Sequence, residues 1–219
     1  MTRWATFDCY GTLIDWNSGI QAELVRVFGE AAALADDRGH SELLDRYHAL
    51  EREVERDGSR SYREVMTEVM RRLGAPAGEA GGLAESLPGW QPFPEVPTVL
   101  AELRRRGWSL ALLSNSDSDL IAASKELLGV GFEETVVASE IQSYKPALAH
   151  WIEFYARTLA DKRRHVHVAA SLFHDIAPAV RLRLPNVWIN RLAEHAGPSP
   201  TVELHDLEGL PDVLDGLIT

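Results

Sequence analysis

Apolar and polar positions divide the chain into two kinds of segment. Short runs of apolar and β-branched residues, typical of buried strands, alternate with longer stretches whose apolar residues recur every three or four positions, as on one face of a helix. The predicted strands are 4–9, 108–114, 133–139, 165–171 and 186–190. The helical period runs without a strand from Asn17 to about Leu87, with breaks at Gly58 and Gly74.

The order of these segments predicts the fold class. After residue 96 strands and helices alternate, and the predicted helices are 97–107, 119–129, 147–160 and 175–184, the last interrupted early by Pro178. This alternation predicts a parallel sheet covered by helices on both faces, the doubly wound, Rossmann-like α/β class. We therefore predict a core domain of residues 1–16 and 91–219, and an inserted helical domain of residues 17–90.

Composition and charge restrict the partners and the compartment. Acidic residues outnumber Lys and Arg by 33 to 22, and the formal net charge of -11 argues against nucleic acid or a membrane surface as the main partner. Cys9 is the single cysteine, so no internal disulfide forms and a cytoplasmic location is expected. The start lacks the apolar run of a signal peptide, and no apolar run reaches the roughly 18 residues that span a membrane.

Polar side chains follow several of the predicted strands. Ligands of open α/β sheets bind beyond the carboxyl ends of the strands, where the connecting loops gather. An acid at the end of a buried strand is costly to desolvate unless it is paired, so Asp8 is either a turn cap or a reacting group. The residues expected to converge at these ends are Asp8, Ser114, Asn115, Lys145, Ser171 and Asp175.

Four short motifs carry a resemblance to a known family. "DCYGTLID" begins at Asp8, "LLSNSD" spans 112–117, "YKP" contains Lys145, and "AASLFHDIAPA" begins at Ala169. Their content and order resemble the haloacid dehalogenase (HAD) superfamily over nearly the whole chain. Phosphatases of that superfamily carry a second acid two residues after the nucleophile, where this chain has Tyr10. The start D-x-Y-G-T is instead similar to the 2-haloacid dehalogenase (type II) branch, which implies that the helical insertion is a cap domain.

The resemblance implies a hydrolase of the (S)-2-haloacid dehalogenase type that needs no cofactor and no metal. Asp8 would displace halide from a short 2-haloalkanoic acid and form an ester, which water cleaves at the carboxylate carbon to leave a 2-hydroxy acid. Lys145 would hold Asp8 ionised by lowering its pKa. Asp175 would orient or deprotonate the water, and Thr12 would hydrogen-bond the nucleophile.

The same resemblance implies a set of substrate-binding residues. Arg46, in "LLDRYHALE", is the expected partner of the substrate carboxylate or the departing halide, because a guanidinium stays charged and can bind a carboxylate through two hydrogen bonds. The implied partner is a small anionic 2-haloacid, and a homodimer stays open because related enzymes are often dimers. The expected substrate-binding residues are Tyr10, Arg46, Ser114, Asn115, Trp151, Ser171 and His174.

Departures from the family pattern leave two alternatives open. Leu172 stands where this branch usually has Asn, and Trp151 stands where it has Tyr. The absence of an Asn side-chain amide at position 172 fits a catalytically silent HAD-fold binding protein. The presence of Asp8, Lys145 and Asp175 argues against a loss of catalysis. The second alternative is a magnesium-dependent HAD phosphatase, with Asp8 and a fourth-motif acid among the metal ligands. The Ala-Ala pair at 169–170, in place of the usual Gly-Asp, counts against it.

Overall fold

A six-stranded parallel sheet forms the core of the computed structural model, which describes residues 2–30, 41–58, 60–195 and 197–218. The strand order is β3-β2-β1-β4-β5-β6, and each neighbouring pair is parallel. The predicted doubly wound α/β class is confirmed. The strands are β1 (Arg3–Phe7), β2 (Trp108–Ser114), β3 (Glu134–Val137), β4 (His165–Ala169), β5 (Asn186–Ile189) and β6 (Val202–Leu204).

Helices fill the described part of the insertion between β1 and β2. They are α1 (Trp16–Phe28), α2 (Glu42–Val54), α3 (Tyr62–Leu73) and α4 (Gly82–Ser86). The breaks predicted at Gly58 and Gly74 are confirmed, since both glycines end helical segments in the left-handed conformation, with φ of 64° and 98°. Glycine adopts that conformation without a side-chain clash. Residues 31–40, which the period assigns to helix, lie outside the described residues.

The helices of the core cover both faces of the sheet. They are α5 (Val96–Arg105), α6 (Ser118–Leu128), α7 (Ala138–Ile141), α8 (Ala149–Thr158), α9 (Ala177–Arg181) and α10 (Leu210–Leu217). Alternate residues of β2 show the two layers: Leu110 and Leu112 join a large cluster with α5 and α10, whereas Ala111 and Leu113 pack against aromatic residues of α8. Of the helices described, none has the length and apolar character needed to cross a membrane.

Several element ends differ from the sequence prediction. The strand predicted over 133–139 ends at Val137, because α7 begins at Ala138. Pro178 lies in the first turn of α9, where its missing N–H costs no hydrogen bond, so it begins that helix instead of interrupting it. A π-helical turn, Leu172–Ile176, precedes it. The strand β6, with three residues at the sheet edge, and the helix α10 were not predicted.

The chain enters and leaves the insertion at one place beside the end of β1. The amide of Asp15 donates to Gln91 O at 2.9 Å, and that of Phe93 donates to Leu13 O at 3.0 Å. The boundaries proposed after residues 16 and 90 stay a prediction, and these hydrogen bonds lie next to them. The insertion is therefore attached next to the residue that follows the central strand, Asp8.

Candidate active site

Asp8 follows the central strand and lies in a buried cluster of charges. Lys145 Nζ donates to Asp8 Oδ1 at 2.8 Å, to Asp175 Oδ1 at 2.6 Å and to Leu113 O at 2.8 Å. These bonds use all three ammonium hydrogens. The amide of Asp8 itself donates to Val168 O at 3.1 Å. The sheet thus brings together one lysine and two carboxylates from three separate loops.

The turn after Asp8 holds its carboxylate in one orientation. Gly11 has a φ of 84°, which lets the chain reverse within a few residues. Thr12 Oγ1 then donates to Asp8 Oδ2 at 2.9 Å and accepts from the amide of Ala170, also at 2.9 Å. Each carboxylate oxygen of Asp8 has a donor from a different loop. A carboxylate fixed at both oxygens is oriented for attack before a substrate arrives.

Burial and ion pairing act differently on the two carboxylates. Burial raises the pKa of Asp8 above its ordinary value, and the Lys145 ammonium offsets this only in part. For Asp175, burial is outweighed by Lys145 and His167, which together lower its pKa to about 2. Both carboxylates raise the pKa of Lys145 against the effect of burial. Lys145 does lower the pKa of Asp8, as expected, but desolvation is the larger effect and the net shift is upward.

A chain of buried hydrogen bonds supports Asp175 from the far side. Its Oδ1 is 3.0 Å from His167 Nε2, and His167 Nδ1 is 2.8 Å from Thr6 Oγ1. Thr6 Oγ1 is also 2.7 Å from His165 Nε2, and His165 Nδ1 is 2.7 Å from Tyr155 Oη. Because a carboxylate only accepts, His167 donates from Nε2; in a neutral His167 ring Nδ1 then accepts from Thr6, and the remaining bonds run toward Asp175. Burial lowers the pKa of His165, in keeping with a neutral ring.

Asn115 and Ser114 occupy the end of β2 with different partners. Asn115 Oδ1 accepts from the amide of Lys145 at 2.6 Å, and its Nδ2 donates to Lys145 O at 3.1 Å. Asn115 therefore positions the lysine loop. The carbonyl of Ser114 is 3.0 Å from His150 Nε2, while its buried hydroxyl has no partner among the described residues. The expectation that Ser114 binds substrate stays a prediction.

Tyr10 lies where the core meets the insertion. Its ring stacks on Tyr62 of α3, with centroids 6.2 Å apart, and meets Trp90 edge-on at 6.1 Å. Its hydroxyl is 3.2 Å from Ser124 Oγ. Burial raises the pKa of Tyr10, so this phenol does not replace the missing second acid near neutral pH.

A second contact between insertion and core forms at the fourth motif. Ser171 Oγ accepts from the amide of His174 at 3.0 Å and lies 3.2 Å from His174 Nδ1. The other ring nitrogen of His174 is 3.3 Å from Glu55 Oε2, just beyond α2. Burial alone lowers the pKa of His174, but the pairing with Glu55 outweighs it and the net shift is upward.

The structure does not bring Arg46 into this cluster. Arg46 is exposed on α2, whereas the buried positions of that helix are Leu44, Tyr47, Glu51 and Val54. Those positions are three or four apart and form the face toward the core, and Arg46 lies off that face. The placement expected for Arg46 is therefore corrected by the phase of the helix.

Trp151 lies below the cluster instead of lining it. The side chain is fully buried in α8, and its ring centroid is 5.2 Å from that of His167 in an edge-on contact. Its neighbours belong to the apolar layer under the sheet, including Trp4 and Phe154. Trp151 thus contacts the site through His167.

Sequence reasoning missed the residues of the hydrogen-bond chain that ends at Asp175 and two glutamates of the insertion that contact Tyr62 and His174. Two patterns could have found the histidines and glutamates among them, whereas no pattern singles out Thr6. Histidines two apart on a buried strand share one face, as in "HVH", and acids four apart on a helix share one face, as in "EREVE". The missed residues are Thr6, His165, His167, Glu51 and Glu55.

The positive charge between the two carboxylates comes from the lysine side chain. Lys145 occupies the position between Asp8 and Asp175 with hydrogen bonds to both. Within the described ranges, no group of three or more His, Cys, Asp or Glu side chains is placed to hold a metal ion. Cys9, next to Asp8 in the chain, is buried, and burial raises the pKa of its thiol.

The parallel sheet, the helical insertion at the strand ends and the acid–lysine–acid cluster together define the class of this protein as an α/β enzyme with an inserted helical domain. The family model of the haloacid dehalogenase-like hydrolases matches residues 2–169. The chain belongs to this family of hydrolases.

Individual relatives carry dehalogenase names. An (S)-2-haloacid dehalogenase of Pseudomonas sp. (strain YL) is 32% identical over 129 residues, which cover 57% of this chain and 55% of that protein. That alignment spans about half the length of the relative. The (S)-2-haloacid dehalogenase H-109 of Pseudomonas putida is 25% identical over 223 residues, covering 95% of this chain and 96% of that protein.

Solved structures share the fold over nearly the full chain. The L-2-haloacid dehalogenase RSc1362 superposes with a TM-score of 0.78 at 24% identity, covering 98% of this chain and 99% of that one. The L-2-haloacid dehalogenase from Xanthobacter autotrophicus with chloropropionic acid covalently bound gives 0.82 at 17% identity, covering 99% of each chain. At these identities the likeness shows the fold.

Proposed function

We propose that this hydrolase breaks a carbon–halogen bond by the route of an (S)-2-haloacid dehalogenase, displacing halide from a short 2-haloalkanoic acid to give a 2-hydroxy acid. The short 2-haloalkanoic acids are the reference substrates because its relatives carry that name. The observation that carries the proposal is the Asp8 carboxylate, held at both oxygens by Lys145 and Thr12. Tyr10 replaces a second acid, and a halide leaves as an anion without needing a proton.

In the first step an Asp8 oxygen bonds to the substrate carbon, and the halide departs with the electron pair of the broken bond. In the second step a water oxygen attacks the Asp8 carboxyl carbon and the ester C–O bond breaks there. The alcohol product keeps the former Asp8 oxygen and gains a proton from water. Asp175 Oδ2, buried and without a hydrogen-bond partner among the described residues, is the acceptor that orients this water.

The decisive assay measures halide and phosphate release side by side. We expect chloride from 2-chloropropionate and no phosphate from p-nitrophenyl phosphate. Phosphate release without halide release would instead support the phosphatase alternative. Release of neither ion would support the silent binding protein.

Isotope labelling tests the covalent step directly. A single turnover in 18O water, with enzyme in excess over substrate, should place the label in the peptide that contains Asp8. Asp8→Asn should abolish turnover and keep the fold, because the amide preserves the shape of the side chain. Label found only in the product would show direct hydrolysis by water and would contradict the ester.

A further inference from the structure

The side chain of Arg191, two residues after the end of β5, contacts the turn that follows Asp8. Its Nη2 donates to the carbonyl oxygen of Thr12 at 3.0 Å. Thr12 is the residue whose hydroxyl donates to Asp8 Oδ2 at 2.9 Å. Arg191 is therefore linked to the Asp8 carboxylate through one intervening residue, by a hydrogen bond on each side of it.

Two further contacts hold the guanidinium of Arg191 in place. Its Nη2 also donates to Glu95 Oε1 at 2.7 Å, and its Cζ lies 3.6 Å from the centroid of the Phe93 ring. The Arg191 side chain is 13% exposed, so water competes little for these contacts. A planar guanidinium can stack on a ring while its N–H groups donate in the plane, which an ammonium group cannot do.

The partners of Arg191 belong to the segment that returns the chain from the insertion. Within that segment the amide of Phe93 donates to Leu13 O at 3.0 Å, directly after Thr12 in the turn. The turn is thus held from the return segment at Leu13 and from the end of β5 at Thr12.

The Thr12 carbonyl and the Thr12 hydroxyl are mechanically connected. The peptide unit between Thr12 and Leu13 is planar and rigid, so a bond to its carbonyl oxygen restricts rotation about the adjacent Thr12 backbone bond. The position of the Thr12 side chain depends on that backbone. Loss of the Arg191 contact would let the turn move and weaken the hydrogen bond from Thr12 to Asp8.

The pKa of Asp8 depends on this hydrogen bond. Burial and the neighbouring Asp175 raise that pKa, whereas Lys145 and the Thr12 hydroxyl lower it. A weaker bond from Thr12 therefore raises the pKa of Asp8 and leaves less of the ionised carboxylate at a given pH.

We infer that Arg191 is a positioning residue for Asp8, which acts through the carbonyl of Thr12. The inference rests on the proposed attack of Asp8 on the substrate carbon. Arg191 itself touches no reacting atom, and its effect on the reaction passes through the turn that it holds.

Arg191→Met tests the inference, because it removes the N–H donors and keeps an apolar side chain against Phe93. We expect kcat for chloride release from (S)-2-chloropropionate to fall roughly tenfold with little change in KM, since the loss affects the reacting geometry. The acid limb of kcat/KM should move to higher pH. A 13C NMR titration of the aspartate carboxyl carbons should show the same upward shift in the pKa of Asp8 without any substrate. Asp8→Asn identifies the Asp8 signal.

Arg3→Met is the matched control. Arg3 makes the same three kinds of contact at the opposite end of β1 from Asp8. Its guanidinium lies 4.7 Å from the centroid of the Trp108 ring, pairs with Asp215 and donates to the carbonyl of Arg106. This variant should leave kcat and the pKa of Asp8 unchanged. Equal effects of the two variants would overturn the positioning role.

A double-mutant cycle with Thr12→Val separates positioning from the charge of Arg191. Arg191→Met should shift the pKa of Asp8 in the wild-type background and leave it unchanged in the Thr12→Val background, because the hydroxyl through which it acts is gone. An equal shift in both backgrounds would show that the charge acts directly and would overturn the inference, as would no shift in either.

Two further readouts keep the test decisive. If circular dichroism shows Arg191→Met to be unfolded, Arg191→Lys replaces it in the cycle, since lysine keeps the charge and lacks the planar fork, and the same outcomes apply. If folded wild-type protein releases no chloride, the dehalogenase proposal is contradicted. The NMR titration then still decides whether Arg191 acts on Asp8 through Thr12.

Discussion

Lys145 pairs with two carboxylates whose pKa values shift in opposite directions. The pKa of Asp175 falls to about 2, so this group stays ionised over the working range, whereas burial raises the pKa of Asp8. Burial thus destabilises the ionised form of Asp8. A less stabilised carboxylate is a stronger nucleophile. The same residue type serves two purposes because only Asp175 has the additional hydrogen bond from His167.

The raised pKa of Asp8 predicts the acid limb of the pH profile. Only the ionised carboxylate attacks carbon, so kcat/KM should fall as pH drops through the pKa of Asp8, at a pH above the ordinary range of an aspartate. Thr12→Val removes a hydrogen bond that lowers this pKa and should move the limb to higher pH. The measurement is kcat/KM against pH for both proteins. An unmoved limb would show that another group controls it.

The hydrogen-bond chain behind Asp175 predicts an effect from a residue that touches no substrate. Thr6→Val keeps the shape of the side chain but leaves both His165 and His167 without their shared partner. We expect a loss of roughly 1–3 kcal/mol in the free energy of unfolding, and a lower kcat with little change in KM. Denaturant unfolding and steady-state kinetics measure the two effects.

Thr135→Val is the matched control for this change. Thr135 lies on the edge strand β3, where its hydroxyl accepts from Lys125. This variant should leave kcat unchanged. Equal kinetic effects of the two variants would show that the chain has no positioning role.

At the level of elements, hydrogen bonds fix the start of α3 to the core. Asp117, at the start of α6, accepts from the amides of Tyr62 and Arg63 at 2.9 and 3.0 Å. Ser61 completes the end of the helix with a capping box to Glu64. The exposed amides of a helix N-terminus are favourable partners for a carboxylate. The core therefore fixes the helix that carries Tyr62 against Tyr10.

Asp117→Ala tests this connection between elements. We expect faster hydrogen exchange of the first-turn amides of α3, a destabilisation of about 1–2 kcal/mol, and a raised KM, because the helix that holds Tyr62 against Tyr10 loosens. Asp119→Ala is the control, since it removes only an exposed ion pair between α6 and Arg63. Identical exchange in the two variants would contradict the role of Asp117.

At the scale of the whole molecule, a strongly acidic protein keeps one lysine buried where the sheet, the insertion and the fourth motif meet. The formal net charge is -11, yet Lys145 is 2% exposed and paired with two acids. The insertion is attached beside this point, because its two ends meet next to β1, where the amide of Asp15 donates to Gln91 O. Burial strengthens each of these pairings relative to the surface.

This arrangement predicts how the reaction responds to chelation. The Lys145 ammonium already supplies the positive charge between Asp8 and Asp175, and halide needs no protonation to leave. Halide release should therefore be unchanged after exhaustive treatment with EDTA. A requirement for added magnesium, measured by restoring activity with the ion, would contradict the dehalogenase proposal and favour the phosphatase.

The fold class, the breaks at Gly58 and Gly74, and the meeting of Asp8 with Lys145 and Asp175 follow from local chemistry. Strand and helix periods depend on neighbouring residues, and parallel strands bring their carboxyl ends to one edge whatever the side chains are. Such features are readable from the chain alone. The short edge strand β6 was not predicted, because three residues carry too little period to detect.

The tertiary structure alone decided which side chains of α2 are buried against the core and in which direction the pKa of Asp8 shifts. Arg46 and Glu51 lie on one helix, and only its packing against the core exposes the first and buries the second. The pKa of Asp8 likewise depends on burial by distant segments, which outweighs the one charge that the motif predicts beside it. Helix phase against a partner and desolvation both arise from contacts between residues far apart in the chain, so no local pattern records them.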